Sequence, residues 1–136
     1  MSTKLTSGIS HVGLAVSNLA ASLHFFEAIG YQRVGGVDDY PSHFLVDGNS
    51  MITLWQTNEN ATPFDRRNNV GLHHLAIQVP SLEALQKVYI LVSAIDGVRT
   101  EGEGAFGPNP LKGTSLTHAM VYEPSGNRIE FTYHKE

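Results

Sequence analysis

The chain has 136 residues, no cysteine, seven histidines and a formal charge of −4. That length suits one compact domain whose core needs no staples, and the missing cysteines exclude disulfides and thiolate metal sites. A mildly acidic chain without a basic run gives no footprint for nucleic acid, and no apolar stretch is long enough to span a membrane. The first residues, Met1 to Thr6, lack the apolar core of a signal peptide, so a cytoplasmic protein is expected.

In chain order, Ile9 to Val16 alternates, with His11, Gly13 and Ala15 on one strand face and Val12, Leu14 and Val16 on the other. Ser17 is a candidate N-cap for a helix carrying Leu19, Leu23, Phe26 and Ile29, which Gly30 stops. A strand is predicted over 31–34, and a hairpin joins 43–46 to 51–56 around Asp47-Gly48-Asn49-Ser50. The polar stretch 58–70 reads as a linker within one domain.

The second half repeats that order. Leu72-His73-His74-Leu75-Ala76-Ile77-Gln78-Val79 echoes Ile9-Ser10-His11-Val12-Gly13-Leu14-Ala15-Val16, about half the chain later. Ser81 caps a predicted helix reaching residue 96, stopped by Gly97, and a strand is predicted over 98–100. Residues 102–110 carry too much glycine and proline for regular structure to be expected. A closing hairpin pairs 117–122 with 128–134 across Glu123-Pro124-Ser125-Gly126-Asn127. Each half therefore reads β-α-β-β-β, an α+β arrangement with modules at about 8–57 and 71–134.

The paired His-apolar-x-apolar motifs, with Glu123-Pro124-Ser125-Gly126-Asn127-Arg128-Ile129-Glu130-Phe131, resemble the vicinal oxygen chelate superfamily. That group includes glyoxalase I, fosfomycin-resistance enzymes, extradiol dioxygenases, epimerases and bleomycin-resistance proteins. The resemblance spans residues 8 to 134. It implies one domain of two βαβββ modules with cupped sheets, usually paired as a homodimer, and a site for one divalent metal. It also implies that His11, His74 and Glu130 are the metal ligands. Strand parity agrees, because each shares a face with small or polar residues while the opposite face is apolar. Two imidazoles and a carboxylate suit Mn, Fe, Ni, Co or Zn, with positions left for a small oxygen-chelating substrate.

The chain also departs from its relatives. Thr53 stands where glyoxalase I carries a further carboxylate, and Met120 stands where dioxygenases and fosfomycin-resistance enzymes carry a tyrosine. Thr53, Trp55 and Met120 are therefore expected to line the substrate cavity. His118, with the same strand parity as Met120, is the candidate for proton transfer, the alternative being a histidine hydrogen-bonded across the sheet. His73, alternating with Leu75, Ile77 and Val79, is expected to point into the helix layer. Arg66 and Arg67 in the linker are read as a solvated pair, the alternative being that they reach an anionic substrate. The expectation is a metal-dependent lyase, isomerase or dioxygenase. The rival reading is a metal-free protein that sequesters a small molecule in the same cavity.

Overall fold

The computed structural model describes residues 3–135. Two sheets of four strands, each backed by one helix, form two copies of the same module. The first contains β1 (Val12–Val16), α1 (Leu19–Ala28), β2 (Gln32–Val37), β3 (Tyr40–Val46) and β4 (Met51–Gln56), with strand order β1-β4-β3-β2. The second contains β5 (Leu75–Gln78), α2 (Leu82–Ser93), β6 (Phe106–Pro110), β7 (Leu116–Tyr122) and β8 (Arg128–His134), in the order β5-β8-β7-β6. Each module thus pairs its first and last strands in parallel and the remainder antiparallel.

Alternation does the placing. In β1 the Leu14 and Val16 side chains are buried while Gly13 and Ala15 are exposed. Leu14, Val16, Leu54, Ile129 and Phe131 join Phe25, Phe26, Leu85 and Val92 of the helices in one core shared by both modules. The other face of each sheet is thereby left to carry chemistry. One buried carboxylate ties the modules together: Glu123 accepts Ser22 Oγ from α1 at 2.6 Å and the amides of Ser125 and Asn127 at 3.0 and 3.1 Å. Asn127 Nδ2 donates in turn to the Ala15 carbonyl of β1 at 3.0 Å. The Pro-Ser-Gly-Asn turn is therefore an intermodule latch as well as a hairpin connection.

Several boundaries differ from the sequence reading. Asn18, not Ser17, caps α1, because its Oδ1 accepts from Ala21 N, in the third position of the helix. Gly30 does end α1, with φ of 112°. In contrast, α2 ends at Ser93, well before Gly97. The strand expected at 98–100 shrinks to a single bridge between Arg99 and Tyr122. The outer strand of the second sheet is instead β6, inside the glycine- and proline-rich stretch. An edge strand needs only one row of hydrogen bonds, so the missing amides of Pro108 and Pro110 are tolerated there.

Candidate metal centre

His74 precedes β5 by one residue, and Glu130 lies in the middle of β8, opposite Ala76. This puts His74 Nε2 3.5 Å from Glu130 Oε1. The second oxygen, Oε2, lies 2.6 Å from His118 Nδ1 on β7. An ionised carboxylate only accepts, so His118 Nδ1 carries the proton of that bond and Nε2 is its free nitrogen. Phe106 of β6 covers His118 edge-on, with ring centroids 4.8 Å apart, and both His118 and Glu130 are buried. Met120, directly across the ladder from Glu130, is buried beside them.

The proton on His74 can be traced in the same way. Arg128 Nη1 approaches His73 Nδ1 at 3.4 Å, and His74 Nδ1 stands 2.8 Å from that same nitrogen. Arginine has no acceptor, so with both rings neutral His73 Nδ1 accepts and His74 Nδ1 donates. In that assignment His74 Nε2 turns a lone pair towards the oxygen of Glu130. Two facing acceptors, too far apart for a good hydrogen bond, are stabilised by a cation between them. The donor set, one imidazole and one carboxylate, fits a divalent ion of the Mn to Zn series.

His73 does not enter the helix layer. Regular strand begins only at Leu75, so alternation does not reach back to residue 73, and the ring is exposed against His74 and Arg128. Loss of hydration, reinforced by the charge of Arg128, lowers the pKa of His73 below the usual imidazole value.

His11 lies elsewhere. It precedes β1 in the first module, is exposed, and meets Ser10 Oγ through Nδ1 at 3.1 Å. Among the described residues no group of three or more His, Asp or Glu side chains is arranged to hold an ion. The arrangement of the modules accounts for this. Ile9 to Val12 line one cavity with Leu75 to Pro80, whereas Gly13 to Ala15 and Ser17 line another with Val70 to Leu72. The start of β1 therefore lies along β5, and the end of β1 by the segment leading into β5. His11 joins no group of three ligands with His74 and Glu130 within one chain.

On the first sheet, Thr53 of β4 stands opposite Gly13, as Glu130 stands opposite Ala76. Its hydroxyl accepts a 2.8 Å hydrogen bond from Trp55 Nε1. A Cβ on Gly13 would approach Thr53 Oγ1 to 3.1 Å and Trp55 Nε1 to 3.3 Å, so the missing side chain leaves the indole its place. Tyr40 and Phe44 pack against the Trp55 ring at centroid distances of 5.1 and 5.5 Å. The result is an aromatic wall on the face that carries Thr53.

Arg66 is no solvated loop residue. Its side chain is 14% exposed, and Nη1 donates to Tyr122 Oη at 3.0 Å. Arg128 shares the β8 face of Glu130 and donates through Nε to the Gly104 carbonyl at 3.0 Å. Strand parity already puts Arg128 beside Glu130; nothing local in the linker announces where Arg66 goes.

Two modules of this topology, with a His–carboxylate pair on the open face of one, define the class, and sequence comparison agrees. The chain belongs to the Glyoxalase/Bleomycin resistance protein/Dioxygenase superfamily, whose family model matches residues 8–131. A glyoxylase/bleomycin resistance protein/dioxygenase domain from Frankia sp. EAN1pec is 23% identical, with a TM-score of 0.77 over 96% of this chain and 94% of that one. The fosfomycin resistance protein FosX of Listeria monocytogenes is similar at 18% identity and TM-score 0.73, covering 96% of each chain. Lactoylglutathione lyase from Agrobacterium tumefaciens is similar at 18% identity and TM-score 0.67, again over 96% of each. At these identities the likeness is one of fold. No curated protein matches the sequence. No helix among the described residues is long and apolar enough to cross a membrane.

Proposed function

We propose that this chain is a metal-dependent enzyme of the superfamily, acting on a small substrate with adjacent oxygen atoms. His74 and Glu130 of one chain, with His11 of a second copy, would hold the divalent ion. The observation that carries the reading is the His74–Glu130 pair, in which an imidazole nitrogen and a carboxylate oxygen face each other at 3.5 Å. Because His11 joins no ligand group with His74 and Glu130 within one chain, a site completed across a homodimer is favoured. Exposed sheet edges in a small chain, such as β2, also favour pairing. One relative, a FosX mutant, is described as complexed with Mn(II) and a dihydroxypropylphosphonic acid, so the fold is compatible with such a site.

A divalent ion bound there supplies Lewis acidity, stabilising negative charge that develops on a substrate oxygen. The chain's own residues do the rest. His118 holds the Glu130 carboxylate in one orientation through Nδ1, and Met120 and Phe106 exclude water from that bond. Its Nε2 is the atom that would take or give a proton. Trp55, with Tyr40 and Phe44, would form an apolar wall for the substrate body. Within the superfamily, the lyase, isomerase and dioxygenase chemistries all remain consistent with this donor set.

The aromatic wall also favours a second reading, a metal-free protein that sequesters a small aromatic compound. Elemental analysis of protein purified without chelator or affinity metal separates the two. A stoichiometric divalent ion that is lost in Glu130→Gln and in His74→Ala supports the enzyme. Metal-free protein of full ligand affinity supports the binding module.

A further inference from the structure

Beside the candidate ligands lies a cavity of about 350 Å³ to which the metal chemistry gives no role. Arg66 from the linker, Arg99 after α2 and Arg128 on β8 line it, together with Tyr122. Two carboxylates share the lining, and both are engaged. Asp65 accepts from the amide of Arg67 at 2.9 Å and from Asn68 Nδ2 at 2.6 Å, within its own loop. Glu103 is held by Arg67 Nε at 2.6 Å, with Arg66 Nη2 further off at 3.6 Å. Arg128 has no carboxylate partner within ion-pair distance among the described residues. The Arg99 guanidinium stacks over the Tyr122 ring at 4.3 Å.

Like charges are brought together here and held in place. Arg66 is fixed by Tyr122 Oη, whose own proton goes to the Glu103 carbonyl at 2.8 Å, and Arg128 is fixed by the Gly104 carbonyl. Residue 104 can only be a small one. A Cβ there would stand 2.8 Å from Arg66 Nη2, 2.9 Å from Tyr122 Oη and 3.0 Å from Arg128 Nε, at a φ of +88°. Arg66, Arg67, Arg99 and Arg128 meet two carboxylates here, Asp65 and the Glu103 that Arg67 and Arg66 share, an excess of two positive charges before the charge of Glu130, which also acts on Arg128, is counted. Keeping arginines this close without full compensation costs free energy, and forked N–H donors match the oxygens of a tetrahedral anion.

We propose that Arg66, Arg99 and Arg128 form an anion subsite that takes a doubly charged tetrahedral oxyanion, the phosphate or phosphonate group of a small ligand. Arg128 lies two residues from Glu130 on one strand face, so a ligand anchored there extends towards the candidate metal. That this ligand is the substrate rests on the proposed function; anion binding itself does not.

The test is a titration of inorganic phosphate at low ionic strength, by calorimetry and by amide NMR shifts, with metal content measured in the same samples. Chelator-treated and Mn-loaded protein should both bind phosphate saturably, with the shifts centred on residues 66, 104, 122 and 128. Affinity should fall at least tenfold in Arg128→Gln and in Arg66→Gln, and be unchanged in Lys87→Gln on the far side of α2. Arg128→Lys keeps the charge and should retain part of the affinity, so a folding failure of the Gln variants leaves the test intact. Added NaCl should weaken binding to the unmodified protein, which needs no variant at all. Absent saturation, phosphate affinity unchanged in the Arg variants, or binding that vanishes with the metal would each overturn the subsite. Acetate bound as tightly as phosphate would overturn its assignment to a dianion. Protein that binds phosphate but takes up no Mn when it is supplied would support the subsite and count against the metal reading alone.

Discussion

Thr53 and Glu130 occupy the same place in the two modules: each lies on the last strand, opposite the residue two positions beyond a histidine, Gly13 for His11 and Ala76 for His74. One is a carboxylate facing an imidazole, the other a hydroxyl tied to the indole of Trp55. The pseudo-symmetry of the fold is thus broken in its chemistry, and this bears directly on how tightly the first module can contribute to an ion.

Thr53→Glu should tighten metal binding by at least about tenfold, because a charged oxygen replaces a neutral one at the equivalent position. The variant is best combined with Trp55→Phe, which removes the indole N–H that now occupies the Thr53 oxygen. Competition against a chromogenic chelator reads the affinity. An unchanged constant would show that position 53 does not face the ion.

If the site is shared between two chains, His11→Ala and His74→Ala should complement each other. Neither variant alone binds metal, but a mixture refolded together should recover about a quarter of the sites, since half of the dimers are mixed and each holds one intact site. Single-chain sites would give no recovery. Sedimentation of the unmodified protein at micromolar concentration should show a dimer.

His118→Ala should weaken metal retention by about 10- to 100-fold, the usual cost of removing a group that orients a ligand. At saturating metal the remaining loss of kcat isolates any proton-transfer role of Nε2. Full kcat at saturating metal would leave His118 a positioning residue only.

Glu123→Ala should destabilise the fold by about 1–3 kcal/mol or more, because Ser22 and Asn127 lose their buried acceptor. Urea denaturation measures it. Metal affinity per folded protein should hold, since the latch lies outside the candidate site.

The Asp47 carboxyl adds a pH dependence. Partial burial alone would raise its pKa, but the amides of Asn49 and Ser50 and the Ser50 hydroxyl outweigh that and hold it below 3.8. A folded-state value below the unfolded one means that its stabilisation is present above pH 3.8 and disappears as pH falls through the lower folded value. Asp47→Asn should therefore destabilise the β3–β4 hairpin at neutral pH by only a few tenths of a kcal/mol, because the carboxyl is exposed, solvent screens its charge and the Asn oxygen still accepts. The difference from the unmodified protein should vanish in acid denaturation experiments below that range.

The sequence by itself determined the module order, the apolar faces and the strand parity of Glu130, Arg128 and Thr53. Alternation along one strand is a local property, and burial of one face follows from it. Local reading failed where a segment's conformation depends on a distant neighbour. β6 forms in a glycine- and proline-rich stretch because β7 offers it an edge, and His73 leaves the expected face because β5 starts two residues later. Tertiary structure alone decided that His118 grips Glu130, that Arg66 folds back from the linker onto Tyr122, and that His11 does not join His74 and Glu130 within one chain. Those relationships depend on how two sheets are set against each other, and no periodicity within either strand encodes that orientation.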